Sequence, residues 1–311
     1  MGGHGWCGRV ARCARLLLVP VLLLPAACGR DGTVRATASE LDASVTVASF
    51  NFEESVLLGE LYALSLEAAG VPVDRQLRLG ARELVSPALR QGLVDVVPEY
   101  VGSGLAFLAP DRPPVRDAEE ARRQLQEAAG ADVVVLPPAE AQDQNGFVVR
   151  RETAERHGLR TISDLRPIAA DLVFGGPPEC RGRRLCLGGL EDVYQLRFEA
   201  FRPLDSSGPL TLAALLGQRV DVALLFTTDG DLASDELVVL EDDLGLQPAE
   251  NVVPVVRRSI IDRHGEAVRV ALEAVTASLD TDALVELNQE VDRGDAAAEV
   301  AARWLEAQGV T

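Results

Sequence analysis

The sequence predicts an α/β protein folded as two similar lobes around a shared cleft. Three observations carry this reading. Strand-length apolar runs alternate with helix-length amphipathic runs along most of the chain, the pattern of βαβ units and mostly parallel sheets. Two segments echo each other. Ala88-Leu89, Gly92 and Val94-Asp95-Val96 are matched by Ala214-Leu215, Gly217 and Val220-Asp221-Val222. Each reads as a helix, a glycine near its end and a strand leading to a polar loop, an echo too weak to count as a sequence repeat. Third, the body after the N-terminal leader and the short polar stretch that follows it holds roughly 265 residues, enough for two lobes.

Taken in order, an apolar strand at 45–48 runs into Asn51, a good helix N-cap, with Glu54 completing a capping-box pattern. The helix expected over 53–69 has apolar residues at 57, 58, 61, 64 and 68, near the helical period. A helix N-terminus therefore opens at the carboxyl end of a strand. Open α/β sheets bind ligands there, and the free N–H groups and positive dipole end suit an anionic group. A helix is expected over 116–129 and a strand over 132–136. Pro137-Pro138 and the polar run 141–145 break the pattern before Phe147-Val148-Val149. Ser163 is expected to cap a short helix, and a strand at 172–174 ends in Gly175-Gly176-Pro177-Pro178. A further strand covers 251–256, and 265–309 reads as helical with a polar break near Arg293-Gly294-Asp295.

The first 28 residues carry Arg9, Arg12 and Arg15, then an apolar run at 16–27, then Cys28. That is a basic n-region, a short h-region and small residues before a cysteine. The run is shorter than the ~20 residues a spanning helix needs. A lipoprotein signal peptide over 1–27 fits, with Cys28 lipidated and 28–41 a flexible tether. Pro25 departs from the usual leucine at the third position before the cysteine, and ordinary cleavage without a lipid is the competing reading.

All 30 basic residues are arginine, which excludes a Walker A loop and a Schiff-base lysine. With three arginines in the leader, 27 basic residues face 48 acidic ones in the rest, a net charge of −21. Nucleic-acid binding, which needs a basic face, is excluded on that balance; acidity serves solubility. Cys7 and Cys13 fall in the leader, leaving Cys180 and Cys186 six apart in a loop rich in Pro, Arg and Gly. In an exported chain a disulfide is the simplest use of such a pair, against free thiols or a zinc site that would need two more ligands. No metal or other cofactor is expected.

Several blocks, in order, resemble the substrate-binding proteins of quaternary-amine ABC importers, the binders of glycine betaine, carnitine and choline. They are S-F-N-F-E-E-S (49–55), L-G-E-L-Y-A (58–63), V-D-V-V-P-E-Y-V-G-S-G (94–104), R-E-T-A-E-R-H-G-L-R-T-I-S-D-L (151–165), L-V-F-G-G-P-P-E (172–179) and V-D-V-A-L-L-F-T-T-D-G (220–230). The resemblance implies the two-lobed periplasmic-binding-protein fold (type II-like), α/β, with two crossings between lobes near 142–147 and 249–253. Lobe one would be 42–142 and 253–311, and lobe two 143–252. It also implies an extracytoplasmic, monomeric receptor, held at the outer face of the cell membrane by its lipid and delivering ligand to separate permease and ATPase subunits.

A quaternary ammonium donates no hydrogen bonds, so proteins hold it on aromatic faces. By resemblance Tyr100 and Ser103 keep a tyrosine and a hydroxyl of the family's P-E-Y-T-G-T block, and Arg183 matches an arginine suited to a ligand carboxylate. Phe226 keeps a ring without a hydroxyl. Phe50 replaces a lysine, Val97 replaces a tyrosine and Glu250 stands where relatives often have a tyrosine. Asn51 at the helix start and Asn145 in the first crossing complete the candidate set. The implied cage is thinned, which points to a small cationic or zwitterionic osmolyte and not necessarily glycine betaine. The competing reading makes Phe50 and Phe226 core residues of a pocket for another solute. Tyr62 and Tyr194 read as packing residues.

No G-x-S-x-G, H-E-x-x-H or G-x-G-x-x-G occurs, and His157 and His264 read as surface and turn residues. Acid pairs such as Glu53-Glu54 and Asp242-Asp243 read as solvated. An exported enzyme on the same fold would need a buried cleft carboxylate with a shifted pKa, Glu99 or Glu250 being the candidates.

Overall fold

The structure, a computed structural model, describes residues 44–310. The expected signal peptide, Cys7, Cys13, Cys28 and the tether lie outside the described residues. Two five-stranded sheets organise the rest. The first contains β1 (Val45–Phe50), β2 (Val73–Gly80), β3 (Val96–Tyr100), β4 (Val133–Val135) and β10 (Val252–Arg257), in the order β2-β1-β3-β10-β4. The second contains β5 (Asn145–Arg150), β6 (Val173–Gly176), β7 (Ala200–Pro203), β8 (Val222–Phe226) and β9 (Leu237–Leu240), in the order β7-β6-β8-β5-β9.

The chain leaves the first sheet after β4, builds the second, and returns at β10. Where it crosses, the two segments run side by side. Gln142 bridges Asn251, and the Asp143 amide donates to the Glu250 carbonyl at 3.1 Å. A strand arriving from the other lobe enters its sheet from the opposite end. So β10 is antiparallel to β3 and β4, and β5 is antiparallel to β8 and β9. This corrects the expectation of mostly parallel sheets: only the β1, β2, β3 and β6, β7, β8 ladders are parallel.

The echo seen in sequence has a structural cause. Asp95 and Asp221 each sit just before a central strand. Asp95 accepts from the Thr46 amide (2.9 Å) and from Arg257 (3.0 Å), while Asp221 accepts from the Val173 amide (2.9 Å) and from Arg150 (3.4 Å). Each carboxylate thus pins a parallel neighbour and the end of the crossing strand.

Eleven helices surround the sheets among the described residues. α1 (Glu53–Ala68) is buried on nearly every side, with α9 (Glu266–Ser278) and α11 (Ala297–Gln308) packed on it. Leu57, Leu58, Leu61 and Tyr62 are fully buried, each such leucine contributing ~2 kcal/mol of apolar transfer. α2 (Arg82–Gln91), α3 (Val101–Leu108) and α4 (Ala118–Ala129) complete the first lobe's N-terminal part; Asp117, not a residue of the helix expected from 116, caps α4 by accepting from the Glu120 amide. In the second lobe lie α5 (Arg151–His157), α6 (Leu187–Asp192) and α7 (Pro209–Leu216). α8 (Arg258–His264) follows β10, so His264 ends a helix instead of lying in a turn. The expected cap at Ser163 is also corrected: a 3-10 turn over Ile162–Leu165 is capped by Thr161, with Asp164 closing a capping box. The C-terminal helical stretch breaks twice, because Asp280 caps α10 (Thr281–Asp292) through the Ala283 amide. No helix of the described residues is long and apolar enough to cross a membrane.

The second sheet buries one face with Phe147, Val149, Phe174 and Leu224, and the other with Val148, Ala223 and Leu225, the alternation of a two-sided strand. The first sheet and its helices share one continuous core.

Candidate ligand-binding cleft

The carboxyl ends of β1, β3, β6 and β8 and the starting ends of β5 and β10 converge on one cavity of about 540 Å³. That is the strand-end location open α/β sheets favour. Phe50 ends β1, Tyr100 ends β3, Phe226 ends β8, Asn145 starts β5, and Glu250 lies just before β10. All eight candidate residues (Phe50, Asn51, Tyr100, Ser103, Asn145, Arg183, Phe226 and Glu250) line this cavity. Val97 is buried in the first lobe's core.

Asn51 does not cap the helix. Phe52 holds the N-cap position and no side chain accepts there. Glu54, expected to close a capping box and, with Glu53, to be solvated, instead points inward and is 5% exposed. It accepts from the Tyr100 hydroxyl (2.5 Å), from Asn288 (2.6 Å) and from the Thr228 hydroxyl. A buried carboxylate needs such donors, and three strong ones draw the side chain away from the backbone. The result fixes Tyr100 by its hydroxyl and ties β3, α10 and the loop after β8 together.

The rings form a cluster around Phe52. Phe50 stacks on it at 5.9 Å, Phe226 meets it edge-on at 4.9 Å and Tyr100 lies at 6.2 Å. The Arg82 guanidinium covers Phe50 at 4.8 Å. Phe52, from the first lobe, and Phe226, from the second, therefore close the cleft against each other.

Charges in the wall fall into two groups. The arginines are engaged. Arg82 is paired with Glu99 at 2.6 Å, both buried. Arg183 donates to Glu83 at 2.8 and 3.2 Å and lies 3.7 Å from Glu179. Arg184 donates to the Arg112 carbonyl at 3.4 Å. The Arg183–Glu83 pair spans the mouth from one lobe to the other, so a ligand carboxylate would have to compete for Arg183. The inner carboxylates have no arginine. Glu250, 1% exposed, accepts from the Ser103 amide (2.9 Å) and hydroxyl (2.8 Å). Asp143, 6% exposed, accepts through Oδ1 from Thr227 (3.3 Å) and the Thr228 amide (3.2 Å). Burial pushes the Glu250 carboxyl up to about 7. Burial first, then repulsion from Glu54 and Glu250, holds Asp143 well above the carboxylate range, and burial likewise raises Glu54.

Asn145 donates to the Leu185 carbonyl (3.0 Å) and to Gln247 (3.3 Å), bracing the loop that carries the disulfide. Cys180 and Cys186 are bonded, with Cα atoms 5.2 Å apart, and line the cavity. Among the described residues no group of His, Cys, Asp or Glu could hold a metal ion. Tyr62 is buried in the core; Tyr194 is buried too, with its hydroxyl donating to Asp242 and accepting from the Leu244 amide.

Sequence reasoning did not pick out Phe52, Glu54, Arg82 or Asp143 for the site. Phe52 and Glu54 lay beside the residue assigned as the cap, Arg82 lay inside the block L-G-A-R-E-L, and Asp143 lay in the polar run of the first crossing. A phenylalanine on each side of Asn51 was the available signal for a second ring.

Comparison with known proteins agrees with this geometry. The family described as the substrate-binding domain of ABC-type glycine betaine transport systems matches residues 43–307. The chain is 31% identical over 254 residues to the glycine-betaine-binding protein of Pseudomonas aeruginosa, covering 78% of this chain and 80% of that protein. It is 29% identical over 270 residues to the glycine betaine-binding protein YehZ of Escherichia coli, covering 83% and 88%. A crystal structure described as a glycine betaine/carnitine/choline ABC transporter superposes with a TM-score of 0.66 at 26% identity, covering 86% of this chain and 99% of that one. The fold is the type II-like, two-lobed periplasmic-binding-protein fold, and these relatives are solute-binding proteins of transport systems, not enzymes. The chain belongs to the family of substrate-binding domains of ABC-type glycine betaine transport systems.

Proposed function

We propose that this protein captures a small cationic or zwitterionic osmolyte in the cleft between lobe one (42–142 and 253–311) and lobe two (143–252). It then presents the ligand to the permease and ATPase subunits of an ABC importer. The observation that carries this is the cavity itself: strand ends from both sheets bring a ring cluster and buried carboxylates around one space of about 540 Å³. Tyr100, Phe226, Ser103, Asn51, Asn145 and Glu250 supply ligand contacts, with Phe50 backing the rings and Arg183 at the mouth. The two crossing segments act as the hinge on which the lobes close. The protein works outside the cytoplasm as a monomer, held at the membrane by a lipid on Cys28.

The test is a thermal-shift screen of residues 33–311 against glycine betaine, proline betaine, carnitine, choline, ectoine, polyamines and arginine. A ligand at 100 times its Kd adds ~2.7 kcal/mol, a rise of several degrees in Tm. Tyr100→Ala, which removes both a ring and the hydroxyl held by Glu54, is expected to weaken the best ligand at least tenfold. No shift with any compound, or full affinity in the alanine variant, overturns the assignment.

A further inference from the structure

Three features of the cleft bear on what kind of cation it takes. First, the face of Phe50 that would cover a methylated ammonium is already covered by Arg82, and its ring stacks on Phe52. The remaining rings touch each other edge-on or tilted at 4.9 and 6.2 Å, so they form a packed cluster and not an open box of free faces. Second, Arg82 and Arg183 are held by the protein's own carboxylates and Arg184 by a carbonyl, which leaves no unengaged guanidinium for a ligand carboxylate. Third, Asp143 and Glu250 both line the cavity, are almost wholly buried, and pair with no arginine. Asp143 accepts through Oδ1 from the Thr227 hydroxyl and the Thr228 amide, so its hydrogen-bond partners are neutral groups and no cation among the described residues faces it.

A buried carboxylate with open acceptor sites is satisfied best by a cation that donates N–H to it, because charge-assisted hydrogen bonds are about twice as strong as neutral ones. A permethylated ammonium leaves those lone pairs unmade inside a low-dielectric space. We propose that the cavity selects a carboxylate-free organic cation bearing N–H donors (a protonated amine, amidinium or guanidinium) gripped by Asp143 and Glu250. This rests on the reading of the cleft as a solute site and names the ligand class within it. The groups facing the two carboxylates fit the same picture. Around Asp143 are Glu54, Glu250, Thr227 and Thr228; around Glu250 are Ser103, Arg82 and Glu99. The carboxylates outnumber the cation there, and burial holds both groups toward their protonated forms until a cation arrives.

Titration calorimetry with a methylation series tests this on the intact protein: ethanolamine, N,N-dimethylethanolamine and choline, with agmatine as a guanidinium probe and glycine betaine as the carboxylate-bearing control. The N–H-bearing members should bind at least tenfold tighter than choline, and glycine betaine weaker still. Asp143→Asn should cut the affinity for the N–H cations at least tenfold and narrow their advantage over choline. Its unliganded melt reports whether it folds, and the methylation series on the unaltered protein stands without it. Tighter binding of choline or glycine betaine overturns this inference and leaves the solute-receptor reading intact. Silence of every probe overturns both.

Discussion

Arg82 and Glu99 meet inside the first lobe with side chains near one-tenth exposed, the guanidinium forming three hydrogen bonds to one carboxylate and covering Phe50 on its other side. Removing one partner of such a pair strands a charge, at a cost of about 3–5 kcal/mol. Arg82→Ala should therefore lower stability by that order in a urea melt, and adding Glu99→Gln should restore part of it. Equal melts of single and double variants would show the pair to be solvated. Glu250 makes a prediction of opposite sign to the usual carboxylate. Its folded carboxyl is held up to about 7 from an ordinary value of 4.5. The folded state then keeps a proton the unfolded state has lost, so this group's contribution is full below about 4.5 and disappears as pH rises through 7. Glu250→Gln, which mimics the protonated form, should gain on the wild type by about 3 kcal/mol between pH 4.5 and 8. Cation affinity should run the other way, rising through pH 7 as the carboxylate is freed, and a flat profile in both would refute the burial argument. At this scale the sequence disclosed eight of the residues that line the cleft, but not Phe52, Arg82 or Asp143, and not the partners that hold them. Tyr100 and Glu250 were legible as chemistry; that Glu54 would leave the helix end for Tyr100, Thr228 and Asn288 depended on a loop 174 positions away.

Helix α3 shows how a short element sets the cleft wall. It reads V-G-S-G-L-A-F-L, a stretch with two glycines that carries little helical signal. The glycine at 102 is there for space: a Cβ would lie 2.3 Å from Pro248 Cγ and 2.5 Å from the Ala249 carbonyl. That close approach lets Ser103 reach Glu250 with both its amide and its hydroxyl. Gly102→Ala should push residues 248–250 outward, cost about 1–3 kcal/mol, and abolish the ligand-induced thermal shift more completely than the stability loss explains. An unchanged shift would mean that the Ser103–Glu250 contact is dispensable. The edge strand β2 is hard to read in the sequence for a related reason. β2, V-D-R-Q-L-R-L-G, alternates intermediate and exposed positions and carries charges, as an edge strand in water does, so it lacks the apolar run that betrays β1, β3 or β8.

Seen as a whole, the molecule is two copies of one plan. Each sheet has a crossing strand ending Val-Val-Arg, followed by a seven-residue helix that starts with Arg and ends Arg-His before a glycine, at 148–158 and 255–265. This second echo is stronger in sequence than the one around Asp95 and Asp221. The fold class and the location of the cleft were legible because they follow from local alternation and from family blocks. The mixed direction of the sheets was not, since it depends on which lobe a strand has just left.

The placement of β10 has a consequence for how the chain is made. Four strands of the first sheet are encoded before residue 136, yet β10, which lies between β3 and β4, is encoded at 252–257. The second sheet comes from one uninterrupted stretch, 145–240. During synthesis from the N-terminus, the first half emerges with a gap in its middle that no amount of waiting can close, while the second half can set as soon as it is complete. A chain halted at residue 250 should accordingly show a protease-resistant piece from the second half and rapid cleavage of the first. Resistance of both pieces would contradict this order. Until its last quarter has been delivered, the protein is kept from sealing by its own wiring, and the side made first stays pliable while the rest is still being added.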